Sequence, residues 1–313
     1  MRLFLGGSNG LVFYEDEEIT PLHSEPVFCM VKATPSRLVA GTESGAVLVL
    51  EGSNGGAAVV AKDVGDAIHG MAVTGKGNLI ASTEPAGLWT SKDQGETWRE
   101  LPGLAGGPNH ENWTAPWGTP LVSAIGCHPK DSKTIFCGVE VGGMYRTRDA
   151  GRTWFDLEIP CPDVHCVQIS PSKPERIYVS TGGGFYSSDD EGFSWRHAGG
   201  QNSHQYTMGL SAHPVEPERV IVSAAKGPPG TWKGKTGADC EVYLSTDGGG
   251  RFRKVAKGLR GAVRRRALLI NQKVPSEVIF GTSAGELHYS NDGGESFDLM
   301  ASDLGDIRSL IFA

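Results

Sequence analysis

One eight-residue phrase constrains this chain more than any other feature. It reads SKDQGETW at 91–98 and returns as TRDAGRTW at 147–154, SDDEGFSW at 188–195, STDGGGRF at 245–252 and SNDGGESF at 290–297. A phrase that recurs at near-regular spacing is the mark of a repeat architecture, in which each copy is one supersecondary unit. Upstream of every copy lies a short apolar run ending in small residues, such as LIASTE at 79, IFCGVE at 135, IYVSTG at 177, VIVSAA at 220 and VIFGTS at 278. LFLGG at 3 and LVAGT at 38 extend the series to seven, with decayed phrases at 13–18 and 50–56.

A second run of Gly-apolar-aromatic type follows each of these (GLWTS at 87, GMYRT at 143, GFYSS at 184), then the phrase, a short strand and a further apolar strand. Units of about 40 residues with four strands each are the signature of a propeller blade. The 44 glycines fit this reading, because they punctuate short Val-, Ile-, Phe- and Tyr-rich runs. The expected fold is therefore all-β, a single seven-bladed β-propeller over residues 1–313. The chain starts on the second strand of a unit, and its last residues, IRSLIFA, match the innermost strand of the other copies. That pattern predicts a ring closed by pairing the C-terminal strand with the N-terminal blade, which removes free strand edges.

The phrase itself reads as a turn staple. Asp and Ser side chains bond back to turn backbone, Gly supplies a positive φ, and the closing aromatic fills space beside the neighbouring sheet. Asp93, Asp149, Asp190, Asp247 and Asp292 are accordingly expected to be structural. The sequence resembles the Asp-box (BNR) repeat propellers over its whole length, a group that includes sialidases, sortilin-type receptors, some glucan hydrolases and the photosystem II assembly-factor propellers. Within that group it looks most like bacterial seven-bladed members of about this size. The resemblance implies the fold and leaves function open, because one fold hosts many sites.

A formal net charge of −7 and a single dense basic run, RRR at 264–266, speak against nucleic acid as a partner. No apolar run is long enough to span a bilayer, and the N-terminal MRLFLGG meets glycine before it makes a signal-peptide core, so a soluble, cytoplasmic monomer is expected. Six cysteines without a C-x-x-C pair suggest buried, reduced thiols.

Function is expected on the face opposite the boxes, which carries the irregular insertions 102–120, 198–206 and 226–239. Aligning the inner strands by their closing turns gives one column beside the central channel: Cys29, His69, Ser123, His165, Met208, Arg265 and Arg308, with the register at 264–266 open by one. From it come the candidate ligand-binding residues His69, His165, Arg265 and Arg308, joined by His110, Trp113, His204, Tyr206 and Trp232 from the insertions, with Trp117 expected nearby on the same face. A small anionic or carbohydrate-like ligand, or a protein partner, fits that set.

The alternative is an enzyme. Glu84 and Glu140 are candidates for the two carboxylates of a glycosidase, with His165 as a further catalytic candidate in a hydrolase or lyase. Sialidase chemistry is disfavoured, because the first blade lacks the Arg-Ile-Pro opening of that family. No cofactor is expected. A divalent ion on His69, His165 and a Glu is the one metal arrangement the residues suggest, and scattered ligands on separate blades give it weak support. No nucleophile–base pair or cofactor loop is visible, which favours a binding or assembly role.

Overall fold

The computed structural model describes residues 1–52, 59–64, 66–198, 204–232 and 237–313, with the side chains of 59–63 left aside. The decayed phrase at 50–56 and the insertions at 198–206 and 226–239 therefore lie partly outside the described residues. Among those described there is no α-helix, only 3-10 turns at His110–Asn112 and Pro229–Thr231. No helix is long and apolar enough to cross a membrane.

The strands form seven four-stranded antiparallel sheets, the blades of a seven-bladed β-propeller. Six blades take their strands in chain order, the second to seventh covering 27–63, 67–100, 122–156, 164–197, 206–256 and 268–301. The first is composite. Its inner strand is the C-terminal Ile307–Phe312, placed beside Arg2–Gly7, Gly10–Glu15 and Glu18–His23, and Ala313 N donates to Arg2 O (3.0 Å).

Two compact units divide the chain, Met1–Val164 with Ile311–Ala313, and His165–Leu310. In the first, Leu48 and Phe4 join one core cluster between the first two blades, and Ile68, Val39 and Trp98 join the next. Val122, Ile80 and Tyr145 fill the space between the third and fourth blades. In the second unit, Tyr178 with Val222 and Phe280 with Val242 do the same. Small residues in the second strands let the blades approach: a Cβ on Gly41 would meet Ile68 Cγ2 at 2.5 Å.

Each intact box is the predicted staple. At the fourth blade Thr147 Oγ1 donates to Asp149 Oδ1 (2.7 Å) and accepts from Gly151 N (3.0 Å), while Thr153 donates to both Asp149 oxygens, from N (2.9 Å) and from Oγ1 (2.6 Å). Asp93 and Asp190 repeat this set, and in Asp292 the same donors close the turn. Gly151 sits at φ +90°, where a side chain is strained. Donors on both oxygens hold the Asp93 carboxyl down at about 2, the Thr97 hydroxyl and amide leading.

Candidate functional site

The box end and the opposite end of a blade are fixed by register. In the third blade Ser91, which opens the box, faces Leu79, whereas Gly87 faces Thr83 and Ala67 faces Glu84. Glu84 and His69 therefore lie at the end away from the boxes.

A bulge explains why the inner strands present polar side chains there. Pairing with the second strand skips one residue between Ile68 and Gly70 and between Val122 and Ala124, so His69 and Ser123 are the bulged residues. In the second blade the skip lies between Val27 and Cys29, so the equivalent residue is Phe28 rather than Cys29. In the seventh, Gly281 N donates to Ala267 O just as Gly41 pairs with Cys29, so Arg266 rather than Arg265 takes the column position. Arg266 bridges to Ser309, one residue beyond Arg308.

In the first unit, His69 Nε2 stands 3.1 Å from Glu84 Oε2, and its ring stacks on Phe28 with centroids 4.9 Å apart and planes 20° from parallel. Burial pushes the Glu84 carboxyl above its ordinary value, Trp117 opposes that rise and the charge of Glu140 adds to it. Trp117 is 48% exposed, and its indole N–H donates to Thr119 O (2.7 Å). Glu140 is buried and offers a carboxylate oxygen within 4.8 Å of one from Asp163, a small acidic cluster with no ion shown.

Insertion 102–120 is docked rather than loose. Trp113 donates to Tyr145 Oη (2.8 Å), which donates in turn to Gly142 O (2.8 Å), and Asn109 Nδ2 donates to Asp156 (2.7 Å). Burial, chiefly, raises the Tyr145 phenol to about 12. His110 packs edge-on against Trp113, with Nδ1 3.3 Å from Gly107 O and 3.5 Å from Glu111. His110 and Trp113 thus serve the loop's own structure.

In the second unit, His165 is fully buried, its Nδ1–H donating to Thr207 O (2.5 Å) and its ring packed on Tyr206. His204 lies between two carboxylates, Nδ1 3.2 Å from Glu241 and Nε2 3.4 Å from Asp239. Burial works to raise Glu241, but Lys254 (2.6 Å), Tyr243 and His204 together pull it below its ordinary value. Trp232 donates to Gly227 O (2.7 Å) and lies under the Arg264 guanidinium, 5.9 Å from the ring centre. Arg264 makes two bonds to Asp306 (3.1 Å each), and Arg308 Nε makes a third (3.1 Å).

The sequence candidates are thus distributed over several clusters. His69 and Glu84 meet, Glu84 senses Glu140, His165 meets Tyr206, and Arg308 shares Asp306 with Arg264. Sequence reasoning placed Trp117 on this face and missed Asp306 and Asp239. Asp306 had a signal, since residues two apart on a strand share a face and Asp306 and Arg308 flank Ile307.

A family model described as sortilin, neurotensin receptor 3, matches residues 144–262. No curated protein matches. Among solved structures, a GH74 xyloglucanase from Xanthomonas campestris is 16% identical with a TM-score of 0.66, over 88% of this chain and 45% of that one. YCF48 from Cyanidioschyzon merolae is 13% identical with a TM-score of 0.61, over 92% and 88%. YCF48 bound to D1 peptide is 17% identical with a TM-score of 0.59, over 88% and 82%. The chain spans under half the length of the two GH74 structures that head the matches. At the level of fold, the chain is a seven-bladed β-propeller with Asp-box turns, similar over 144–262 to the sortilin model and similar in fold to the GH74 and YCF48 structures.

Proposed function

We propose that residues 1–313 act as one binding propeller, with a sugar-like ligand held at the end of the third and fourth blades away from the boxes. The observation that carries this reading is Trp117, an exposed indole beside the Glu84 carboxyl, which is itself paired with His69. An aromatic face flanked by carboxylate acceptors suits a sugar ring, whose C–H face packs on the indole while its hydroxyls donate to the carboxylates. On the other side, the Arg308 and Arg264 guanidinium groups are met by Asp306, which argues against a strong free-anion site at those arginines. A xyloglucan oligosaccharide is the first probe, since the structurally similar GH74 enzyme is a xyloglucanase.

Titration calorimetry with a xyloglucan oligosaccharide and with an unstructured peptide of similar mass separates sugar from protein partner. Binding of the sugar, weakened about tenfold in Trp117→Ala, supports the reading. Binding of the peptide alone moves the role to assembly, as for YCF48 with D1 peptide.

Glu84 also favours a second reading. A carboxyl whose pKa is raised by burial and by the charge of a neighbouring carboxylate suits the general-acid half of a glycosidase pair, with Glu140 as its partner. Release of reducing ends from the same oligosaccharide, lost in both Glu84→Gln and Glu140→Gln, would establish catalysis.

A further inference from the structure

A concavity of the first unit lies at the box end, between the third and fourth blades, far in register from Glu84. It is a pocket of about 380 Å³. Buried Ile80 and Ile135, with half-buried Leu101, form its base, and exposed Lys92, Lys133, Arg148 and Arg152 surround it. Asp149 is the one carboxylate in its lining, and both its oxygens are taken up by Thr147, Thr153 and the Arg152 amide.

The repeat supplies an internal control for whether the fold requires those cations. The carbonyl of Lys133 accepts from the residue after the box Asp, and the same contact recurs at Glu175, Glu218 and Ser276 in the fifth, sixth and seventh blades. Those four positions are therefore equivalent. So are the residues before the box Asp, Arg148, Asp189, Thr246 and Asn291, and those three after it, Arg152, Phe193, Gly250 and Glu295. All three positions are basic in the fourth blade, and none is basic in the fifth, sixth or seventh. The box turn closes in each case, so basic residues there are not a demand of the turn.

Most charged residues at the corresponding positions in other blades are neutralised, Glu218 by Arg176 (3.1 Å) among them, and Glu175 is the exception. Glu96 of the third blade pairs with Arg37, Glu295 with Arg219 (3.0 Å), and Asp189 with Arg176 (2.6 Å) and Lys173 (3.2 Å). Lys92, Lys133 and Arg152 have no ion pair of this kind among the described residues. A chain with a formal charge of −7 thus gathers four cations around one apolar-based pocket. Such a field concentrates anions, and two guanidinium forks match the oxygens of a tetrahedral oxyanion.

We propose that this pocket binds a phosphate or sulfate ester carried on a compact apolar group, the oxyanion among Lys92, Lys133, Arg148 and Arg152 and the apolar part on Ile80, Leu101 and Ile135. The site is independent of the sugar reading above, and either stands if the other fails.

The test uses the whole chain with phenyl phosphate, phenyl sulfate and inorganic phosphate, followed by titration calorimetry and amide chemical shifts at low and high sodium chloride. The expected result is that a phenyl ester binds tighter than inorganic phosphate, that salt weakens it, and that Lys133→Glu with Arg152→Glu weakens it tenfold or more with an unchanged melting temperature. The tighter of the two phenyl esters identifies the source of the oxyanion. Arg152→Gln, which keeps the box amide, replaces the double variant should the latter fold poorly, and the same weakening is expected from it. No binding of any probe at millimolar concentration, equal binding by inorganic phosphate, or full binding by the folded variants overturns the proposal.

Discussion

His69 Nε2 lies 3.1 Å from Glu84 Oε2, and the carboxyl in that pair is held above its ordinary value. A carboxyl whose pKa is raised on folding binds its proton more readily in the folded state than in the unfolded one. Its contribution therefore favours folding below the unfolded value and weakens as pH rises through the folded one. Glu84→Gln removes a group that is costly to ionise. The variant is expected to melt higher than the parent at pH 8, with the difference closing toward pH 4. A variant that melts no higher at pH 8 would show that the carboxyl carries no burial penalty.

The boxes respond to pH in the opposite sense. Asp93 is held at about 2 by Thr97, so its stabilising bonds are complete above the unfolded carboxyl range and are lost as pH falls toward 2. Asp93→Ala removes acceptors for the Thr97 amide and hydroxyl, a loss comparable to that of a helix cap, about 0.5–2 kcal/mol. Denaturant melts at neutral pH and at pH 2.5 check both parts: the gap between parent and variant narrows at the lower pH, with sugar binding intact throughout.

Deleting 306–313 strips the first blade of its inner strand. Ile307 and Leu310 are both buried, and exposing each costs about 1.5–3 kcal/mol, while Arg2–Gly7 is left with an unpaired edge. Earlier melting and light scattering from aggregates are expected. An unchanged melting temperature would contradict the pairing.

Gly138→Ala tests the close approach of inner strands. A Cβ there would meet Val164 Cγ1 at 2.2 Å and Val164 Cβ at 2.9 Å, too short for rotamer adjustment alone. Overpacking of this kind costs about 1–3 kcal/mol, measured as a fall in the denaturant midpoint.

None of the six cysteines is in a disulfide, and burial pushes Cys127 and Cys240 up to about 12. Since the thiolate is the nucleophile, the buried Cys240 is expected to react with a disulfide reagent at pH 8 only as fast as the protein unfolds. Rapid labelling of Cys240 in the native state would contradict its burial.

The blade pattern and the boxes were legible because both depend on local chemistry: a turn needs its Asp, Ser and Gly, and a strand needs its apolar run. The site column was legible only to within one residue. Counting back from the closing turns chose Cys29, whereas a bulge between Val27 and Cys29 brings Phe28 against His69. A bulge is a feature of pairing between strands and leaves no local mark. The neighbours of Arg308 were equally hidden, because Arg264 reaches Asp306 across 42 positions of sequence. The cationic pocket was hidden for a related reason: Lys92, Lys133 and Arg152 gain meaning only when their blades are laid over one another.

The composite first blade also sets a schedule for synthesis. Its outer three strands emerge first from the ribosome, but the strand that lies inside them is about 300 residues later in the chain. At about 5–20 residues per second, the bare edge of Arg2–Gly7 waits roughly 15 to 60 seconds for its partner. During that interval the nascent chain carries a free β-edge next to apolar Leu3 and Phe4, while later blades can already form from contiguous sequence. Ring closure thus waits until the seventh blade has been made, and it is the step at which chaperone demand and cross-pairing between neighbouring nascent chains should peak.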